Sequence, residues 1–502
     1  MEQPGTVEQT VDGRGAGGYV EESDAFGRDW TQGSIAGNVL RLSWPMVVTS
    51  TLMMLGPTID MIWVGKLGSA AVAGVGVAGI AVQLTMGAMM GLAMGMRALI
   101  ARFVGARDRD SANLVAQQGF VVSGVFALLV ALVGIFFAEP ILGIFGLDPD
   151  VMTEGVAYLR IQFIGMAAVS FRFMVEGVMQ ASGDAVTPMV TATIYRLVHV
   201  TLSPFFIFGL WIFPELGVRG AAVTSIISYS LGVVLGLWFL GSGRAMVFIG
   251  RGGLDETGRR TGSRFLWWVP RSRPSRLRLS FRNFRFDTSI IWRIIKIGAP
   301  AMVSGMQRTA SQFILMLFVS PFGTFAVAAH SIVQRVEMVL FIPGMAFGQA
   351  AGVLAGQNLG AQKPDRAERS AWISLMMSEG FLISSALILL LIPAQVVSIF
   401  NAEPGLLDIA VTYVRIAVAG YVVMGFTSAL MNVLSGAGDT IPPMIFSLIT
   451  AWVVQVPLAF FLPKVGDLGV FGVRWAMSAG FMMSAVLYLS YFRTGRWKRK
   501  RV

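Results

Sequence analysis

Residues 183–189 read Gly-Asp-Ala-Val-Thr-Pro-Met, and residues 438–444 read Gly-Asp-Thr-Ile-Pro-Pro-Met. The two stretches lie 255 positions apart, and the same offset links a series of other identities. It turns Pro45 into Pro300, Gly105-Ala106 into Gly360-Ala361, Ala112 into Ala367, Ile144-Phe145 into Ile399-Phe400, and Tyr158 and Arg160 into Tyr413 and Arg415. Nothing needs inserting between Pro45 and Met189; beyond them the offset slips to 252, pairing Leu216-Gly217-Val218 with Leu468-Gly469-Val470. A fixed offset held over so long a stretch marks an internal duplication, so the chain reads as two copies of one unit.

The composition identifies the unit. Of 502 residues, 55% are apolar and 13% charged, against roughly 25% charged in a soluble domain. Apolar windows fall at 36–59, 73–97, 114–137, 154–175, 187–209 and 220–242, and again at 294–319, 326–352, 371–392, 408–430, 444–462 and 470–492. Each is about the 20 residues that a helix needs to cross a bilayer. A β-barrel would alternate apolar and polar residues, and these windows do not. The expectation is an all-α integral membrane protein of twelve transmembrane helices in two six-helix lobes. Its 58 glycines suit close helix packing. Six helices separate equivalent positions, so both lobes have the same orientation, are related by an axis along the membrane normal, and hold the substrate cavity between them. The expected organisation is a tail 1–35, an N-lobe 36–242, a basic linker 243–293, a C-lobe 294–492 and a basic tail 493–502.

Charge then orients the chain. From Gly243 to Lys296 there are thirteen basic residues against Asp255, Glu256 and Asp287, and the C-terminal tail adds six more. With both termini inside, short inner loops hold Arg102, Arg107, Arg109, Lys363, Arg366 and Arg369. The outer loops keep only Lys66, Arg219, Lys464 and Arg474. Positive charge favours the cytoplasmic side, so both termini are expected there, in a multi-pass protein of the cell membrane. The net charge of +11 therefore belongs to a linker and a tail rather than to a nucleic-acid surface. Within the linker, Trp267-Trp268 between arginines suits a segment lying on anionic lipid headgroups, against the alternative of a plain connector. There is no cysteine, no Walker loop, no metal-ligand cluster and no ordered catalytic triad, which argues against an enzyme.

Several motifs resemble the multidrug and toxic compound extrusion (MATE) transporters over about residues 36–492. Trp44-Pro45 followed by Asp60 and Val64-Gly65-Lys66-Leu67-Gly68 is similar to the family's first helix. Gly356-Gln357-Asn358-Leu359-Gly360-Ala361 resembles the end of its eighth, and Gly436-Ala437-Gly438-Asp439 through Pro443-Met444 the loop before its eleventh. The resemblance implies an antiporter that exports organic, cationic or amphipathic, compounds in exchange for H⁺ or Na⁺ by alternating access. It implies no cofactor, small molecules and lipid as partners, and a monomer. A lipid-linked substrate flippase of the same superfamily is the alternative, with a non-transporting membrane scaffold behind it.

Asp60 heads the site candidates, because a carboxylate inside a membrane helix costs about 2.5–3.5 kcal/mol on insertion scales and demands a partner or a wet cavity. In the resembling family this acid is central to ion coupling. The family's fifth-helix pattern Asn-x-x-x-Asp-Pro aligns with His199-Val200-Thr201-Leu202-Ser203-Pro204. His replaces Asn and Ser replaces Asp, which favours protons over an oxygen-liganded Na⁺, although a Na⁺ near Asp60 stays open. Thr224 and Ser225 complete the proposed ion-coupling set, since one of them aligns with a family hydroxyl. In the C-lobe, a sodium-coupled branch places carboxylates where this chain has Gln307-Arg308 and about Met424, so a DinF-like branch is favoured. Gln307, Arg308, Gln312, His330 and Gln334 form a polar stripe that suits either a cavity lining or internal hydrogen bonding. Arg335 and Glu337, two residues apart, point to different helix faces and are not a ready pair. Glu379 is a lone intramembrane acid, and Asp184 and Asp439 read as helix caps.

Overall fold

The computed structural model describes residues 29–247, 271–275, 277–282, 284–398 and 403–500. The first half builds α1 (Ile35–Val64), α2 (Ser69–Gly105), α3 (Arg109–Gly143), α4 (Pro149–Ile164), α5 (Met166–Ser182), α6 (Val186–Phe208) and α7 (Val218–Ser242). The second builds α8 (Thr288–Val319), α9 (Thr324–Gly360), α10 (Pro364–Leu391), α11 (Pro393–Ser398), α12 (Pro404–Gly436), α13 (Ile441–Leu448), α14 (Val456–Phe461) and α15 (Gly469–Arg493). The window expected at 154–175 is two helices, α4 and α5, bent by 45°. The window expected at 444–462, which the offset relates to α6, is built from α13 and α14 and runs through a π-helical stretch, Ile449–Gln455, just ahead of Pro457. Proline has no N–H and crowds the carbonyl four residues back, which loosens the preceding turn.

Among the described residues, nine helices are long and apolar enough to cross a membrane, or eleven when the bent pairs α4–α5 and the two parts of α9 each count as one span. Helix α8 falls short of that apolarity. Ser304, Gln307, Arg308, Thr309, Ser311 and Gln312 interrupt it. It still occupies the seventh place of a twelve-helix, two-lobed frame.

Helices start where side chains cap free N–H groups. Ser34 accepts from Gly37 at α1, Asp108 from Ser111 at α3, and Asp287 from Ser289 and Ile290 at α8. The hydroxyl of Ser289 and the Ile290 N–H hold the Asp287 carboxyl below its ordinary range. Thus α8 begins at Thr288, six residues before the expected C-lobe boundary. The described ends of the linker belong to the N-lobe. Strands β1 (Arg244–Val247) and β2 (Arg271–Pro274) pair antiparallel, Leu277 and Leu279 are buried in the core of α2, α3 and α5, and Asn113, Gln117 and Gln118 of α3 donate to the carbonyls of Ser280 and Arg285. Trp267-Trp268 and Ile399-Phe400 lie outside the described residues.

The duplication is visible in the contacts between lobes. A Cβ on Gly105 would meet the carbonyl of Gln357 at 2.0 Å, and one on Gly360 would meet that of Arg102 at 2.0 Å. These are the same contact reflected through the 255 offset, as a two-fold axis passing between them requires. Both turns that follow repeat as well, with Arg107 at φ 62° and Gln362 at φ 57°. This end of the molecule, which carries the described parts of both termini and of the linker, is here called the base; the opposite end is the mouth.

The base is tied shut. Trp30 donates to the Gly183 carbonyl of the N-lobe, while Lys363 and Arg366 of the C-lobe donate to the carbonyls of Thr31, Gln32 and Gly33. At the other terminus Lys500 pairs with Asp439 at 3.0 Å, and Arg102 of the N-lobe donates to the carbonyls of Ala437 and Lys500. Asp439 therefore is not a helix cap: its carboxylate takes Lys500 and the Tyr491 hydroxyl instead. Asp184, its counterpart, does cap, accepting from the Thr187 N–H at 2.9 Å. Helices α2 and α8 remain in backbone contact from Gly95 and Ile294 up to Gly87 and Gly305. Nearer the mouth, Gly76 and Gly79 of α2 face open space, and the ring pair Phe145–Phe313 reaches across between the lobes.

Candidate functional site

Asp60 sits one turn before the mouth end of α1 and is 5% exposed. Helices α6 and α7 deliver its partners. Ser203 donates to Oδ1 at 3.1 Å, Ser225 donates to Oδ2 at 3.2 Å, and His199 Nε2 lies 3.2 Å from Oδ1. Hydrogen bonds to a charged group contribute about 1.5–3 kcal/mol each, so three of them offset the insertion cost of the carboxylate. Asp60, His199, Ser203 and Ser225 are thus brought together as expected. Thr224 is not: its hydroxyl bonds back to the Gly220 carbonyl at 2.8 Å, the usual fate of a hydroxyl within a helix.

A second layer fixes the imidazole. Arg196 Nη1 lies 3.0 Å from His199 Nδ1. A guanidinium has only donors, so Nδ1 is the acceptor and the proton rides on Nε2, directed at Asp60. A doubly protonated ring would set donor against donor at Arg196. Arg196 is 2% exposed and fits only because position 56 is glycine, where a Cβ would come within 2.0 Å of its Nη1. Deeper still, Arg172 pairs with Glu176 at 2.7 Å, and Tyr195 and Tyr229 stand between the two arginines. Sequence reading missed the roles of Arg196, Arg172 and Glu176. The available signal was that charged residues inside apolar helices must be paired.

The C-lobe has a carboxylate of another kind. Glu337 of α9 forms an ion pair with Arg474 of α15, and the Tyr421 hydroxyl of α12 donates to the same Oε1 at 2.8 Å. Arg474 was expected in an outer loop; it lies inside α15 and is 1% exposed, because the buried Glu337 needs it. Arg335 is exposed and turned away from Glu337, as the helix periodicity required. His330 does not line a cavity: it is buried, edge-on to Tyr413, and neither ring nitrogen has a partner among the described residues. Arg308 and Gln312 are exposed, while Gln307 and Gln334 are half-buried. Glu379 rests on the backbone of α12, accepting from the Phe426 N–H at 3.1 Å across Gly425. A pocket of about 420 Å³ lies at the base, beside Ile35, Lys363 and Arg366, well away from Asp60.

Two duplicated six-helix lobes, sealed at one end and carrying one unpaired-by-cation carboxylate near the other, define a membrane transporter and not an enzyme. The profile of the MatE family matches residues 45–205 and again 300–461, the same two segments that the offset relates. The chain belongs to that family. It is similar to "Probable multidrug resistance protein YoeA" of Bacillus subtilis, 25% identical over 462 residues covering 91% of this chain and 93% of the relative. It is also similar to "Probable multidrug resistance protein NorM" of Thermotoga maritima, 26% identical over 477 residues, 93% and 94% of the two chains. Among solved structures, a MOP superfamily transporter from Pyrococcus furiosus shares the fold with a TM-score of 0.82 at 20% identity, over 94% of this chain and 98% of that one.

Proposed function

We propose that the protein is a monomeric antiporter that exports amphipathic organic compounds across the cell membrane in exchange for protons entering at Asp60. The observation that carries this reading is a buried carboxylate surrounded by neutral donors, with no cation bonded to it. Such a group can change its protonation state without breaking an ion pair: on protonation, the Ser225 or Ser203 hydroxyl turns from donor to acceptor. The names of the similar proteins point to drug export, and the Lys/Arg bias supports a cytoplasmic base. Export then requires the mouth-open arrangement to alternate with one in which the base parts.

Protons suit the site better than Na⁺. Sodium would need the carboxylate and hydroxyl oxygens turned toward it, whereas the His199 N–H points at Asp60 and the Arg196 charge stands directly behind the ring. The test is dye efflux from proteoliposomes with pH and Na⁺ gradients imposed independently. Efflux driven by the pH gradient alone, and lost in Asp60→Asn, is expected. Efflux driven by Na⁺ at constant pH, or wild-type efflux from Asp60→Asn, would overturn the reading.

A further inference from the structure

Charges on the helices that face each other across the mouth are unequal. Helix α2 carries none from Ser69 to Met96, and Asp60 of α1 and Glu337 of α9 are buried with their partners. Helices α6, α7, α13, α14 and α15 contribute no acid at all. What remains exposed in the mouth halves of α8 and α9 is Arg308 and Arg335, and neither has an acidic partner among the described residues.

Both arginines lie on the side of their helix that faces the N-lobe. On α8, Ile294, Gly298, Ala301 and Gly305 pack against α2. Arg308 and Gln312 continue that row at the same alternating three- and four-residue steps, which keep to one helix face. On α9, Ala346 and Val353 join the core formed with Val39, Leu42 and Met46 of α1, and Val353 also adjoins Met94 and Ala98 of α2. Arg335 precedes Val353 by eighteen residues, five whole turns, although α9 bends by 41° between them. Toward the base these rows are covered by the other lobe. Toward the mouth, where Gly76 and Gly79 of α2 meet open space, they end in arginine.

Other arginines at comparable depth differ. Arg160 and Arg415, related by the 255 offset, are also exposed, but their neighbours Leu159 and Val414 fill the lobe cores. The arginines themselves fall on the opposite sides of α4 and α12, where a long side chain can reach the headgroups. Arg308 and Arg335 instead face the cleft.

We infer that the mouth cleft selects substrates bearing an anionic group, a carboxylate or phosphate on an apolar body, held by Arg308 and Arg335. Guanidinium donors match both oxyanions in bidentate geometry. Gln312 and Gln334 add neutral donors beside them, while Val339, 66% exposed on the Arg335 row, and the charge-free α2 supply apolar wall. An organic cation, the class expected from family resemblance, would meet two like charges and no exposed acid on α1, α2, α6, α7, α8, α9, α13, α14 or α15. The inference deepens the antiporter reading and rests on it for the direction of transport, but not for binding.

Equilibrium binding without a gradient therefore tests it separately. Full-length protein in neutral detergent is titrated with dansyl-labelled undecanoate, with NBD-labelled phosphatidate, and with a dansyl-labelled undecyl trimethylammonium of matched length. At least one anion should bind about tenfold more tightly than the cation. Arg308→Gln/Arg335→Gln should erase that preference, and Arg308→Lys/Arg335→Lys should retain most of it, which controls for folding. Tight undecanoate binding identifies a soluble amphipathic acid as the source, and binding of phosphatidate alone identifies a membrane lipid; both support the inference. A cation bound as tightly as either anion, no anion binding, or an anion affinity unchanged in the double glutamine variant would overturn it. Binding is measured without a gradient and efflux with one, so failure of proton-driven efflux and failure of anion selection are read in different experiments.

Discussion

The N-lobe and the C-lobe each bury a carboxylate among three helices, and they treat it in opposite ways. Asp60 accepts hydrogen bonds from Ser203, Ser225 and His199, with Arg196 held one ring away. Glu337 is bonded directly to Arg474 and Tyr421. A charge balanced by neutral donors can be discharged by a proton at little structural cost. A charge balanced by a buried guanidinium cannot, because its loss leaves the arginine unpaired. Asp60 and Glu337 are buried alike, and the chemical identity of the neighbour, not burial, separates them.

The contrast is broken most directly by removing both acids in turn. Asp60→Asn should reduce gradient-driven efflux to background, whereas Glu337→Gln should leave a pH-driven flux measurable in the same vesicles; equal losses would erase the distinction. Next in size is the C-lobe pair. Arg474→Met leaves Glu337 uncompensated and should lower stability by about 3–5 kcal/mol, while Glu337→Gln/Arg474→Met should recover most of it. Thermal unfolding in detergent reports both, and an Arg474→Met variant as stable as the parent would show that Glu337 is not fixed. Ser225→Ala removes one donor from Asp60, a loss of about 1.5–3 kcal/mol of stabilisation of the charged form. Efflux driven by the pH gradient should therefore slow severalfold, while Thr224→Val, next to it but bonded to its own helix, should leave that rate unmoved. The smallest effect is expected from Gly56→Ala. Its methyl displaces the end of Arg196 and weakens its bond to His199, which acts on Asp60 only through the imidazole; a severalfold slower efflux at unchanged expression is expected.

The frame was legible in the sequence because it depends on local and periodic information. Apolar runs of spanning length and a 255-residue offset were enough to give two lobes, and the offset reappears as the reciprocal Gly105–Gln357 and Gly360–Arg102 contacts. Asp60 was legible because an acid in an apolar run is conspicuous. Its partner Ser225 was chosen only as one of two adjacent hydroxyls, since facing Asp60 or its own helix is a matter of about 100° of rotation. Arg474 was misplaced because its position, five residues into an apolar window, suits a loop end as well as a helix; its contact with Glu337 spans 137 residues that no short-range pattern connects. Asp439 was misread for a similar reason: its partner Lys500 lies in a tail whose path the sequence does not fix. The linker was expected on lipid headgroups or as a plain connector, and Leu277 and Leu279, two apolar residues among arginines, bury themselves in the N-lobe.

Helix α8 carries a consequence for how the chain enters the bilayer. Its serines, glutamines and Arg308 make it too polar to count among the apolar spans, and an isolated segment of that composition partitions poorly from the translocon into lipid. Helix α2, free of charge over its first twenty-eight residues, is already in place when α8 emerges, and offers a glycine-lined groove at Gly87, Gly91 and Gly95 against which α8 lies backbone to backbone. If that contact forms during synthesis, the first lobe should serve as an insertion scaffold for the second. Expressed alone, the second lobe should thread α8 incorrectly, and co-expression of the first lobe should restore its topology.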